Sequence, residues 1–156
     1  EGTNTIQSLD LLGRKVLGNN GATLKKFGKL VGALVAEEGV NEKMAEFITP
    51  IAVLGEQITK FTTEIGFKGF QNADEVGAAA VDYLRVAGHL VFGYFFARMA
   101  QVALREIAAG NTDPFYPAKL QTARFYFAKP FPETATLMRT ARAGSKVLMD
   151  TDLALA

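Results

Sequence analysis

The sequence predicts an all-α fold, an up-and-down bundle of about four to five long helices. Three observations predict it. Apolar residues recur at alternating steps of three and four along most of the chain. Gly, Asn and Pro gather between those runs, and no stretch shows strand alternation bounded by hairpin turns. With 156 residues, 49% hydrophobic and 21% charged, the chain has the composition of a globular protein with a sizeable core.

A first helix over Thr5 to Leu17 follows from the stripe Ile6, Leu9, Gly13 and Val16. It stops at Gly18-Asn19-Asn20-Gly21, residues that tolerate left-handed backbone. A second helix carries Leu24, Phe27, Val31 and Leu34 on one face, with Lys25, Lys26 and Lys29 off it and Gly39 as its C′ residue. The third has the clearest pattern: Met44, Phe47, Ile51, Leu54, Ile58, Phe61 and Ile65. Asn41 caps its start, and Pro50 is expected to bend or divide it. Each large side chain in such a stripe contributes roughly 1.5–3 kcal/mol on burial.

Asn72-Ala73-Asp74-Glu75 resembles a capping box and opens a fourth helix that runs to about Ala109 and stops at Gly110-Asn111. Val76, Ala80, Leu84, Ala87, Val91, Phe95 and Met99 mark one face, and Phe92 and Phe96 widen it. A helix apolar nearly all round belongs at the centre of its domain. Ala78, Ala79, Ala80, Gly88 and Gly93 would let a neighbour approach closely. Within Val86 to Val102, His89, Arg98 and two glycines argue for a buried bundle helix rather than a membrane span, which needs about 20 predominantly apolar residues. Asp113-Pro114 starts a fifth helix through Leu120, Ala123 and Phe127 that ends before Pro130. Pro132-Glu133 starts another through Leu137, Met138 and Ala141 to Gly144. The tail from Ser145, with Val147 and Leu148, is left as a docked turn or a loose end.

Composition excludes several kinds of chemistry. A net charge of +1 provides no field to gather nucleic acid or an anionic membrane. The chain has no cysteine, so disulfides, thiolate metal sites and thiol catalysis are out, and one histidine leaves little for a metal centre or a hydrolase triad. No metal site is predicted. Gly18-Asn19-Asn20-Gly21 lacks the spacing of a phosphate loop. The polar start Glu1-Gly2-Thr3-Asn4-Thr5 is not a signal peptide, and without an initiator methionine the chain reads as an excised segment of a longer protein. His89 could serve as a general base, but in mid-helix it reads as a hydrogen-bonded core histidine. Lys25, Lys26 and Lys29 read as a solvated face rather than a phosphate site. Arg124 with Phe125, Tyr126 and Phe127 reads as core packing rather than a stacking platform.

Glu1-Gly2-Thr3-Asn4-Thr5-Ile6-Gln7, leading into Leu9-Asp10-Leu11-Leu12-Gly13-Arg14-Lys15, resembles the catalytic loop and following helix of the acyl-CoA dehydrogenase family. That family's signature is Tyr-Glu-Gly-Thr-x-x-Ile-Gln, and its glutamate is the catalytic base. The stretches Phe115-Tyr116-Pro117-Ala118-Lys119-Leu120 and Ala141-Arg142-Ala143-Gly144 are similar to the additional C-terminal helical domain of one bacterial subgroup. The resemblance implies that residues 1–20 are the last helix of the catalytic bundle and 21–156 the additional helical domain. It implies Glu1 as catalytic base, Gly2 beside the substrate, and Thr3, Asn4 and Thr5 in contact with FAD. It also implies an acyl-CoA substrate, an electron-transfer flavoprotein-type acceptor, a homo-oligomer and a cytoplasmic location. Ser8 departs from the pattern, since many relatives have arginine there. With everything before Glu1 missing, the segment by itself is expected to bind no cofactor and to be inactive. The competing expectation is a helical interaction or oligomerisation module with no link to flavin chemistry.

Overall fold

A computed structural model describes residues 3–149. Helix α1 (Thr3–Leu9) widens into a π-helical stretch over Asp10–Val16 and a 3₁₀ turn over Leu17–Asn19. Beyond that turn come α2 (Ala22–Glu38), a 3₁₀ turn (Glu42–Met44), α3 (Ala45–Gln71), α4 (Asp74–Ala108), α5 (Phe115–Ala128), α6 (Glu133–Ala141) and the short α7 (Lys146–Met149). No strand occurs among the described residues. The predicted all-α bundle is what forms.

The first helix departs from its predicted stripe. Ile6 is 67% exposed and Leu9 also faces solvent, whereas Ser8, Leu12 and Val16 are buried. The π winding, with i→i+5 bonding in place of i→i+4, brings residues four apart into line and rotates the buried face away from the three-and-four pattern. The turn after it is the predicted one. Asn20 and Gly21 have φ of 55° and 73°, and the Gly21 amide donates to the Val16 carbonyl at 2.8 Å.

Helix α2 buries Val31 and Leu34 and leaves all three lysines in solvent. Gly39 is not the left-handed C′ residue: its φ is −61°, and the turn closes through the Asn41 amide on the Glu38 carbonyl at 2.9 Å. Asn41 does act as a cap, accepting from the Lys43 amide at 3.2 Å, although the element it caps is the 3₁₀ turn that leads into α3. Every residue of the α3 stripe is buried to 4% exposure or less. Pro50 does not divide α3, which runs unbroken for 27 residues. Near the start of a helix, the missing proline amide leaves only one carbonyl without its helical partner.

Helices α3 and α4 run antiparallel, as three descending pairs show. A Cβ on Gly69 would meet Val76, Thr62 Oγ1 lies 2.6 Å from Tyr83 Oη, and a Cβ on Gly93 would meet Ile51. The buried face of α4 is Ala79, Ala80, Tyr83, Val86, Leu90, Gly93, Ala97, Ala100 and Ala103. The predicted face shares only Ala80 with it, and Phe95 is 60% exposed. Periodicity could not orient this helix because apolar residues surround it. The neighbours chose the small side, on which backbones come closest. Asn72 Oδ1 accepts from the Asp74 amide at 3.1 Å, but Glu75 does not complete a capping box. It reaches across to Ser145, accepting from its amide at 2.9 Å and its hydroxyl at 2.6 Å. These bonds, the hydroxyl's first, hold the Glu75 carboxyl below its ordinary range and tether α7 to α4.

Pro114 takes the N-cap position of α5 in place of the predicted Asp113, whose Oδ1 accepts from the Phe115 amide at 2.9 Å from one residue further out. Helices α5 and α6 lie against α4, with α5 also touching α3 through the edge-on pair Phe47–Phe127 at 5.4 Å. Of the α5 aromatic run, Tyr126 is buried and Phe127 packs on the core, but Phe125 faces solvent. No helix among the described residues is long and apolar enough to cross a membrane.

Two glycines of α4 should respond oppositely to substitution. A Cβ at Gly93 would lie 2.8 Å from Phe131 and 3.0 Å from Ile51, so Gly93→Leu should destabilise by about 1–3 kcal/mol. Gly88 has nothing within 4 Å of such an atom, so Gly88→Ala should stabilise by about 0.5–1 kcal/mol. Urea midpoints of the two variants check both.

Candidate functional site

Of the residues expected to carry chemistry, Glu1 and Gly2 lie outside the described residues. Thr3, Asn4 and Thr5 form the first turn of α1, and all three are exposed. Among the described residues their side chains hydrogen-bond to nothing, and the first amides of any helix lack intrahelical acceptors. This turn therefore presents two hydroxyls, an amide and free backbone donors, a set able to contact the polar atoms of a cofactor.

What holds the turn in place is Ser8. It is fully enclosed, and its Oγ donates to the Thr5 carbonyl at 2.7 Å. One turn on, Arg14 Nε pairs with Asp10, and Lys15 Nζ lies 3.0 Å from the same carboxylate. The Arg14 and then the Lys15 contact hold the Asp10 carboxyl down to about 2. The presenting turn is thus packed from beneath and pinned by exposed charge just after it.

A groove of about 750 Å³, absent from the sequence expectations, runs between the π-helical stretch, the start of α2 and the second half of α3. Gly13, Gly21, Gly28 and Gly66 open it, with Leu24 and Phe70 as apolar walls. A second groove, of about 670 Å³, continues along the α2–α3 seam past Gly32 and Gly55 with Lys29 and Lys60 beside it. The recurrence of glycine on α2 and α3 was the available signal. Lys25 lines both grooves, and Glu56 joins Lys29 and Lys60 beside the second.

His89 lies on α4 facing α5 and α6. Its Nδ1 is 2.8 Å from Tyr126 Oη and its Nε2 is 3.3 Å from Glu133 Oε2. Arg85 pairs with the other Glu133 oxygen. Burial, and then the nearby Arg85 cation, push the imidazole below its ordinary 6.5, while burial pushes the Tyr126 phenol up to about 12. This is the hydrogen-bonded histidine predicted from sequence. Lys25, Lys26 and Lys29 form the solvated face expected of them. Among the described residues, no cluster of three or more His, Cys, Asp or Glu could hold a metal ion.

Residues 22–152 match the family described as acetyl-CoA dehydrogenase C-terminal like. The chain is 31% identical to a 3-methylmercaptopropionyl-CoA dehydrogenase of Ruegeria pomeroyi over 129 residues, covering 81% of this chain and 22% of that protein. It is 27% identical to the broad-specificity linear acyl-CoA dehydrogenase FadE5 of Mycobacterium tuberculosis, covering 89% of this chain and 24% of the relative. It is 28% identical to a butyryl-CoA dehydrogenase of Syntrophomonas wolfei, covering 85% and 22%. The chain therefore spans between a fifth and a quarter of the length of the relatives it matches.

The enclosure of Ser8 gives a direct test of how α1 is held. Ser8→Arg would force a cation into a position with no exposed surface and should cost about 2 kcal/mol or more. Amide exchange across α1 should rise with it. An unchanged melting temperature and protected α1 amides would contradict the packing described.

Proposed function

The chain belongs to the acetyl-CoA dehydrogenase C-terminal-like family, and from that premise we propose that it is the C-terminal part of an FAD-dependent acyl-CoA dehydrogenase. The observation that carries this reading is the match over residues 22–152, joined to three relatives that all bear the name of an acyl-CoA dehydrogenase. The start Glu1-Gly2-Thr3-Asn4-Thr5-Ile6-Gln7 lies ahead of the matched segment and supports the reading separately.

Residues 1–20 are then the last helix of the catalytic bundle, and 21–156 an additional helical domain. The start of the family match beside the left-handed Asn20–Gly21 pair supports a boundary at that turn. Glu1 is the catalytic base, taking the α-proton of an acyl-CoA thioester whose acidity is raised by hydrogen bonds to its carbonyl. Gly2 permits close backbone approach to that substrate. Thr3, Asn4 and Thr5, exposed on one turn, hold FAD through hydroxyl, amide and backbone donors. FAD held by these residues would supply the hydride acceptor for the β-hydrogen, which would make the product a 2-enoyl-CoA. An electron-transfer flavoprotein-type acceptor, a homo-oligomer and the bacterial cytoplasm complete the reading.

In this reading the segment contributes the base and one turn of cofactor contacts and is inactive alone. In the full-length protein Glu1→Gln should abolish bleaching of the flavin by an acyl-CoA while leaving FAD bound. Retained turnover would remove the assignment of Glu1. FAD and an acyl-CoA added to the 156-residue chain should show no binding above background by calorimetry. Tight binding would contradict the incomplete site.

A further inference from the structure

We propose that the outer face of α4 is the contact surface of a two-fold dimer of this chain, in which α4 packs antiparallel on α4 of a second copy about a dyad between Val91 and Phe92. Three sides of α4 are taken. Gly93 faces Ile51 of α3, Arg85 pairs with Glu133 of α6, and Arg98 Nη1 lies 3.6 Å from Glu37 Oε2 of α2. The fourth side carries Val81, Val91, Phe92, Phe95 and Val102, all exposed. Gly88 lies among them, with no other part of the fold within 4 Å of where its Cβ would stand. Val91 and Phe95 belong to the apolar face that the sequence marks and that the fold leaves outside.

The spacing of this stripe points to what covers it. Val81, Gly88, Phe95 and Val102 stand seven residues apart. A strict seven-residue repeat keeps one line of an α-helix facing a partner helix, whereas a helix lying on a broad surface needs no such register. The stripe also reads the same from both ends. Counting outward from the point between Val91 and Phe92, Val91 answers Phe92, Gly88 answers Phe95 and Val81 answers Val102. Two copies laid antiparallel about that point set each Phe95 ring over the partner's Gly88, a knob over a hole, twice by symmetry. A stripe shaped for an unrelated partner has no reason to be its own complement.

The edges of the stripe suit a second copy as well. Arg85 and Arg98, which border it, each meet a carboxylate of their own chain, so neither edge presents unbalanced charge to its symmetry mate. The same balance leaves no free row of cations along the stripe to hold an anionic membrane. With a net charge of +1, two copies repel each other little. From Val81 to Val102 the seam is about 32 Å long, with the aromatic anchors at its centre. This names a contact surface for the homo-oligomer of the functional reading but rests on α4 alone, and its failure would leave the assignment of Glu1 untouched.

Light scattering on the 156-residue chain at about 100 µM should give twice the mass of one chain. Phe95→Ala removes the knob and Gly88→Phe fills the hole. Both positions are open in the single chain, so each variant should stay helical and weaken association about tenfold or more. Combining the two substitutions exchanges knob and hole, so the double variant should dimerise again. Only antiparallel pairing of position 88 with position 95 predicts that rescue. Since the chain has no cysteine, a spin label on one introduced cysteine reports the register directly. Labels at Val81→Cys and at Val102→Cys should each lie about 32 Å from their symmetry mates, against about 10 Å for a parallel pair. A monomer at the scattering concentration would overturn the proposal and leave the stripe to a different protein or to another part of a longer chain. Short distances at both labels, or a double variant no better than Phe95→Ala, would overturn it too.

Discussion

The close approach of α3 and α4 is the constraint to which the rest of the bundle answers. At Gly93 the α4 backbone lies so near Ile51 and Phe131 that no Cβ fits, and above and below it the contact face consists largely of alanines. A small face on one helix lets the large apolar stripe of the other sink in. Phe47, Ile51, Leu54, Ile58, Phe61 and Ile65 of α3 are all buried as a result. Interiors pack as tightly as organic crystals, so this fit fixes the register of the two longest helices and with it the positions of everything that docks on α4.

Helix α4 packs against α1, α3, α5 and α6, and polar side chains on its packed faces are matched to those neighbours. Tyr83, fully buried, donates to Thr62, whose own hydroxyl is committed to the Ile58 carbonyl at 2.7 Å. His89 is bonded at both ring nitrogens. Gln101 reaches Glu37 and Glu38 across the α2 side. Among the described residues no buried side-chain nitrogen or oxygen lacks a partner. In a low-dielectric interior such pairing specifies one arrangement of neighbours where apolar packing alone would admit several.

The bundle from α2 onward is a packed structure with grooves along the α2–α3 seam, and Thr3, Asn4 and Thr5, proposed as cofactor contacts, form the first turn of α1. Ser8, buried and bonded to the Thr5 carbonyl, is the link between them, since it packs the presenting turn against the bundle. An arginine in its place would need a different support. Family members differing at this position must therefore hold the same turn in another way.

Helix number, most boundaries and the all-α class were legible from the sequence, because turn chemistry and apolar period are local properties. Asn20–Gly21 and Gly110 act where the sequence places them, Asn41 and Asp113 bond amides within a residue or a turn of their expected caps, and the α3 stripe is buried residue for residue. The candidate site was legible only as a motif, through Glu1 to Gln7, since its geometry requires groups beyond the described residues. Three features were decided by tertiary structure alone. The α4 face could not be chosen from a helix apolar all round, so close packing chose it. The π widening moved burial from Ile6 and Leu9 to Ser8 and Leu12. And Glu75, placed by its spacing to complete a capping box, instead holds Ser145, seventy residues away, because only folding brings that amide and hydroxyl within reach. Local pattern sets what a segment becomes. Which side it shows, and what its polar groups bond to, depends on neighbours that sequence distance does not reveal.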